Sequence, residues 1–541
     1  MKIQAQLVAI SDKRTYPVEM QWENGEIQSI RSIEAAPSVY LLPGFIDSHI
    51  HIESSMLTPV AFAKKAVEFG TIATISDPHE IANVLGVDGV EFMLHNAKNT
   101  PFKFHFGAPS CVPATALETA GDVINSRQIA DLLARPDIYY LAEMMNYPGV
   151  IYRDEEVWAK LQAAHASKKP IDGHAPGLRG DELDRYLAGG ITTDHEAYSY
   201  EEGLEKLQKG MKIIIREGSA AKNFDALYPL IDQFPGQVML CSDDKHPDDL
   251  LEGHINQLVA RAVAKGCDVY NVLLAACVVP VAHYGMRVGQ LQVGDPADFI
   301  LVKDLTAFDV VATYIDGQLV AENGISKLQA IQPDCPNRFV LTDFDVNELT
   351  VSLPEIGESI RVIQVNDGQL ITSELQVKVT EELVQTGYSL SEDVLKVTVI
   401  NRYQKAPAAV AYIHGFGLTK GAIASTVAHD SHNIICVGTS DDEMERAIQA
   451  LIKSKGGVVA VNGEEIQLLE LPIAGLMSDL DCETVGHRYQ AVDALAKQNG
   501  CKLKAPFMSL SFMALLVIPE LKLSDLGLFS SIPFGFVPLK V

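Results

Sequence analysis

His49 and His51 are separated by a single residue in the run Pro43-Gly44-Phe45-Ile46-Asp47-Ser48-His49-Ile50-His51. Alternate residues of a strand share a face, so two imidazoles at this spacing can hold one metal ion from a strand end. One such pair among 15 histidines is weak evidence by itself. Its weight comes from Glu143 and Asp243, which end separate strand candidates, and from His174 and His195, which follow two others. Histidine with carboxylate and no thiol differs from the cysteine-rich, closed set of a structural zinc site. It suits divalent manganese, iron or zinc and leaves positions for water. Six ligands are too many for one tetrahedral ion. Two ions bridged by the Glu143 carboxylate and a hydroxide account for all of them, and such a pair makes hydroxide available near neutral pH. Manganese is the expected ion, iron or zinc the alternatives. Asp243, a ligand beside the hydroxide, is expected to accept its proton.

These residues need a scaffold that brings five strand ends to one point. Between Leu41 and Val288 there are eight strand candidates, at 44–48, 71–76, 102–106, 138–142, 170–173, 190–193, 211–215 and 238–242. Amphipathic stretches such as 58–69, 126–133 and 155–166 separate them. Strands alternating with helices imply a parallel sheet. Eight such units in roughly 250 residues predict a (β/α)8 TIM-type barrel, whose active site lies at the carboxyl ends of the strands.

Both flanks of that region read as β-structure. Residues 1–40 hold short alternating runs broken by the hairpin signal Asn24-Gly25. After the barrel, Gly294-Asp295-Pro296-Ala297-Asp298 leads into the apolar run 299–302, and a tight turn follows at Gly317. Residues 1–40 and 289–325 are therefore expected to form one small β-domain, with the barrel at 41–288. A linker at 326–336 holds two prolines and opens a C-terminal α+β domain at 337–541, with strands at 360–365 and 395–400 and a helix at 441–454.

Composition narrows the partners. Lys plus Arg is 43 and Asp plus Glu is 70, a net charge of −27. So acidic a chain repels phosphate backbones and anionic membrane surfaces, which leaves a neutral or cationic small molecule. The N-terminus alternates polar with apolar and lacks the pattern of a signal peptide, and no run approaches the roughly 18 apolar residues of a membrane span. The eight cysteines are scattered without a CxxC pair, as expected of reduced thiols. These features predict a cytoplasmic protein, and a homodimer or larger homo-oligomer is expected.

Further motifs carry a family resemblance. Besides the first-strand motif, the chain has His51-Ile52-Glu53-Ser54-Ser55-Met56, Asp77-Pro78-His79-Glu80-Ile81-Ala82-Asn83, Asp172-Gly173-His174-Ala175-Pro176, Ser242-Asp243-Asp244-Lys245 and Leu471-Pro472-Ile473-Ala474-Gly475-Leu476-Met477-Ser478. Together they are similar to the adenine deaminases of the amidohydrolase superfamily, over nearly the whole chain. Most binuclear amidohydrolases carry a carboxylated lysine on the fourth strand, where this chain has Glu143. The resemblance implies hydrolysis of adenine to hypoxanthine and ammonia. It makes a purine base the small-molecule partner. It makes Asp77 and Glu80 candidates for proton relay beside Asp243, and His79 and Asp244 candidates for substrate contact. His429 and Asp430, in the polar cluster His429-Asp430-Ser431-His432-Asn433, are candidates for substrate contact from above the barrel mouth.

Other functions fit these residues less well. Another amidohydrolase reaction, such as opening a cyclic amide, is argued against by Glu143 in the lysine's place. A metal-binding scaffold without catalysis is argued against by the complete ligand set. His51-Ile52-Glu53 lacks the PCxxC of the cytidine-deaminase signature. The HExxH of zincins fails at Asn83, and Gly415-Phe416-Gly417 does not complete a dinucleotide-binding motif.

Overall fold

The computed structural model describes residues 1–219 and 221–541. Eight short parallel strands form a ring: Phe45–Ile50, Thr71–Ser76, Lys103–Phe106, Leu141–Met144, Ile171–Gly173, Thr193–Asp194, Lys212–Arg216 and Val238–Cys241. Segments such as Thr71–Ser76 are buried at every position, as expected of strands covered on both faces. The first three strands pair in order, as do the fourth with the fifth and the sixth through the eighth.

Single hydrogen bonds join these segments. The Ala108 amide donates to Tyr140 O at 2.9 Å, and the Thr192 amide to Ile171 O at 2.9 Å. The ring closes where the Asp243 amide donates to His49 O at 3.0 Å, in a parallel bridge between Ile50 and Asp243. Helices follow the strands, as in Pro59–Ala66, Ser126–Leu133 and Glu155–Ser167. Ser126–Leu133 starts where it does because the Asn125 side chain accepts from the Arg127 and Gln128 amides while Gln128 reaches back to the Asn125 amide.

An eight-stranded sheet flanks the ring. It runs Ile325–Ser326, Gln318–Glu322, Val310–Ile315, Phe299–Val302, Tyr40–Leu42, Lys2–Ala9, Arg14–Glu23, Glu26–Ser32, so both sides of the barrel sequence contribute to it. Its hairpins turn at Asn24-Gly25 (φ 51° and 84°) and Asp316-Gly317 (φ 47° and 72°). Both are left-handed pairs that match the twist of the strands they join.

Beyond residue 336 a second eight-stranded sheet carries the helices Asp441–Ser454 and Cys482–Gln498, and a smaller sheet follows at Leu521–Ser524, Gly527–Ser531 and Phe534–Phe536. This part of the chain lies on the barrel. The Ser478 amide donates to Met56 O at 2.8 Å, Asn433 Nδ2 to Thr119 O at 2.9 Å, and the Thr119 amide to Asp525 Oδ1 at 2.9 Å. Buried apolar side chains run without a break from Phe62 and Ile81 of the barrel to Leu510 and Phe512.

Candidate active site

His49 and His51 leave the first strand on one face, and their Nε2 atoms lie 3.2 Å apart. The Asp47 carboxylate steadies this strand end. It accepts from the His49 amide at 3.4 Å and the Ser242 amide at 3.0 Å, and His254 Nε2 lies 2.9 Å from it. Glu143 lies between two groups of imidazoles. Its Oε1 is 3.2 Å from His51 Nε2 and 3.9 Å from His49 Nε2, whereas its Oε2 is 2.7 Å from His174 Nδ1 and 3.2 Å from His195 Nε2. Asp243, at φ 53° just past the eighth strand, points Oδ1 at His51 Nε2 (3.4 Å) and His49 Nε2 (3.7 Å). Asp tolerates this left-handed backbone better than most residues. All six side chains are buried.

These separations bear on whether an ion fits. Donors sharing an ion at about 2.1 Å lie about 3–3.5 Å from one another, longer than most hydrogen bonds. Most pairs in the cluster fall there, among them the two imidazole nitrogens that face each other at 3.2 Å. The donor set therefore fits divalent metal. Burial alone would push the Glu143 carboxyl up, but His174 and His195 outweigh it and hold Glu143 well below the usual range. Burial is likewise outweighed at Asp243, by Arg216 first. Both carboxylates are therefore anionic.

The other sequence-derived candidates gather around this centre. The Asp77 Oδ1 accepts from the His79 amide at 3.1 Å, and its Oδ2 lies 3.1 Å from His79 Nδ1. Asp77 therefore braces His79 and does not itself line the cavity. Burial disfavours charge on His79, yet Asp77 and Glu80 raise it well above the ordinary histidine value. Its Nε2 faces Glu80 Oε1 at 3.4 Å and Asp430 Oδ2 at 3.9 Å. Asp244 accepts from Ser54 Oγ at 2.5 Å, and burial, then Asp243, push its carboxyl up.

The cluster at 429–433 reaches the same place from the C-terminal region. His429 Nδ1 lies 2.6 Å from Glu80 Oε1, and His432 Nε2 hydrogen-bonds the other oxygen. His432 Nδ1 accepts from the Ala428 amide, so its Nε2 carries the proton and donates to Glu80. The short His429 contact has the length of a charge-assisted hydrogen bond. Burial, then Glu80, raise the Asp430 carboxyl to about 6, and its Oδ2 has no partner.

Sequence reasoning missed Glu196 and Arg216, which line the cavity with Met145, and the apolar roof of Leu370, Phe512, Leu515 and Ile518. Phe512 stacks on the His429 ring at 4.6 Å. No motif marks these residues, although Glu196 adjoins His195 and Arg216 ends the seventh strand. The space between these side chains is about 30 Å³, room for about one water. A larger cleft of about 540 Å³, beside Phe104 and Tyr139, shares no lining residue with it and holds none of these ligands.

The chain is also similar to known proteins. Residues 40–320 match the amidohydrolase family model, and residues 369–534 match the model described as adenine deaminase C-terminal domain. The adenine deaminase of Sulfurovum sp. is 53% identical over 99% of this chain and 99% of that one. That of Salinibacter ruber is 51% identical over 99% of this chain and 98% of that one. Among solved structures, an adenosine deaminase from Xanthomonas campestris overlays with a TM-score of 0.46 at 14% identity, covering 61% of this chain and 94% of that one.

Proposed function

The chain belongs to the adenine deaminase family of the amidohydrolases, and from that premise we propose that its Glu143 centre hydrolyses adenine to hypoxanthine and ammonia. The observation that carries this reading is the division of Glu143, Oε1 toward His49 and His51 and Oε2 toward His174 and His195. Two divalent ions held by His49, His51, Glu143, His174, His195 and Asp243 would supply hydroxide near neutral pH and polarise the carbon it attacks.

The chain's own groups then manage protons. Asp243 Oδ1 takes a proton from the attacking water, because Arg216 occupies Oδ2 at 2.6 Å. One proton of the water ends on a ring nitrogen and the other on the departing amine, so ammonia leaves in place of an amide anion. His79, cationic and fixed by Asp77, is the donor to the ring nitrogen. Glu80, held by His429 and His432, relays protons beside it. Asp244, Asp430 and His429 bind the purine edge, and the roof of Phe512, Leu515 and Ile518 covers its face and excludes bulk water.

Manganese is the ion of this reading, with iron or zinc compatible with the same donors. The reading extends to purine salvage in the cytoplasm by a homodimer or larger assembly. The acidic charge and the free cysteines support the compartment, and the exposed Ile532 and Phe534 support association. Among the described residues no helix is long and apolar enough to cross a membrane.

The test is ammonia release and ultraviolet absorbance with adenine, cytosine and a cyclic amide, before and after chelation. Protein loaded with two Mn2+ per chain should convert adenine alone and stop on chelation. Metal-replete protein that leaves adenine intact while opening the cyclic amide would refute the substrate.

A further inference from the structure

Glu196 directly follows His195, and its Oε1 lies 3.6 Å from both His174 Nδ1 and His195 Nε2. That places a third carboxylate at the edge of the co-ligand range, beside the same imidazoles that face Glu143 Oε2. Buried and otherwise free, it would be a seventh donor to the centre. It is not free. Arg216 Nη2 donates to Glu196 Oε2 at 2.8 Å, and Nη1 hydrogen-bonds Oε1. The same Nη1 donates to Asp243 Oδ2 at 2.6 Å. All three residues are buried, and a planar guanidinium that binds a carboxylate with two parallel N–H groups gives the strongest and most directional of side-chain pairs.

The guanidinium therefore occupies three carboxylate oxygens that would otherwise turn to a cation: both of Glu196 and one of Asp243. We propose that Arg216 is a positioning residue that withholds Glu196 from the metal ions and leaves Asp243 a single available oxygen, so that the ligand set stays at six and a coordination place remains for water. A hydrolytic centre needs that place, whereas a site closed by protein donors is structural. The proposal rests on the six-ligand reading above. It adds that the centre binds metal less tightly than its residues could, in exchange for an open position.

An unusual expectation follows for variants. Damage to a metal site weakens binding, but Arg216→Met removes a cation and releases a carboxylate, so it should tighten binding while slowing turnover. Changes in groups that orient ligands move affinity about 10–100-fold. The experiment measures Zn2+ transfer to a chromophoric chelator from wild-type holoprotein, R216M, E196Q and the double variant, with folding followed by circular dichroism. R216M should hold Zn2+ about tenfold more tightly than wild type. The double variant should lose most of that gain, because only the freed Asp243 Oδ2 is then left to enter. E196Q alone should keep two ions at close to wild-type affinity, because Arg216 already sequesters that carboxylate.

Folded R216M with unchanged or weaker affinity overturns the proposal, as does a double variant that keeps the gain. Loss of an ion from E196Q makes Glu196 a ligand and overturns it even if R216M does not fold. A wild-type content other than two ions per chain overturns the six-ligand reading itself, a failure distinct from any difference among the variants.

Discussion

His429 Nδ1 lies 2.6 Å from Glu80 Oε1, which makes a residue of the last third of the chain the partner of an acid on the barrel. Glu80 is in the helix that follows the second strand, and its other oxygen accepts from His432. Burial would raise the Glu80 carboxyl, but His429, His432 and His79 hold it well below the usual range. An acid beside His79 thus owes its charge to a different part of the fold.

The double substitution His429→Ala, His432→Ala tests that dependence. Removing both partners leaves a buried carboxylate to be neutralised, and stranding such a group costs several kcal/mol. We expect a folded, metal-loaded protein whose kcat/KM for adenine falls about 100-fold. Wild-type kinetics in that variant would make the cluster a structural contact without a share in the reaction.

Alkaline pH should loosen the same contact. Burial disfavours charge on His429, but Glu80 raises it to about 9. A raised pKa contributes stability that is complete below the unfolded value of about 6.5 and is lost as pH rises through the folded one. Glu80, shifted the other way, keeps its charge well into the acid range. The pair therefore holds across neutrality and fails first near pH 9. The KM for adenine should climb there in the wild type and stay flat in His429→Gln; parallel profiles would contradict this.

Metal content should separate two ligands that look alike in sequence. Glu143→Ala removes the carboxylate shared by two imidazole groups and should leave one ion per chain or fewer. Asp243→Asn keeps a neutral oxygen donor and should retain both ions while turnover falls about 1,000-fold. Elemental analysis beside single-turnover kinetics would decide, and full metal in Glu143→Ala would dismiss the bridge.

Lys522 gives a stability prediction for the roof. Its Nζ donates to Leu370 O at 2.7 Å and Phe512 O at 2.9 Å, and burial pushes its ammonium down to about 7. Between about pH 7 and pH 10.4 the unfolded chain binds the extra proton, so this group's contribution improves as pH rises and is least favourable below 7. From pH 6 to pH 9 wild type should gain about 2 kcal/mol on Lys522→Met in urea unfolding. Identical pH dependence in the two proteins would show that Lys522 is not desolvated in solution.

Much of the barrel was legible because its strands are short apolar runs buried on both faces. The helix at 126–133 and the strand at 299–302 fall where the pattern put them. The fourth strand differs: the apolar pattern covers 138–142, whereas the strand is Leu141–Met144. An apolar pattern stops at a charged residue, and here the charged residue is Glu143, buried in the strand because it faces the centre. That His49, His51, Glu143, His174, His195 and Asp243 would meet was legible because each lies at or near a strand end, a position that depends on local order alone. Arg216, Glu196 and the roof were not, because their meaning lies in contacts between distant segments. Arg216 meets Asp243 only once the ring exists, and Phe512 meets His429 only once the C-terminal region has docked.

The hydrogen bond from the Asp243 amide to His49 O closes the ring of strands, and it joins two residues of the ligand set through their main chains. Whatever draws those side chains together also seals the seam between the first and last strands. Loading the centre and completing the cylinder are therefore linked equilibria, and each ion bound lowers the frequency with which that seam opens. A chelator should be felt at the Asp243 amide as faster hydrogen exchange, well before any helix on the outside of the barrel registers the loss.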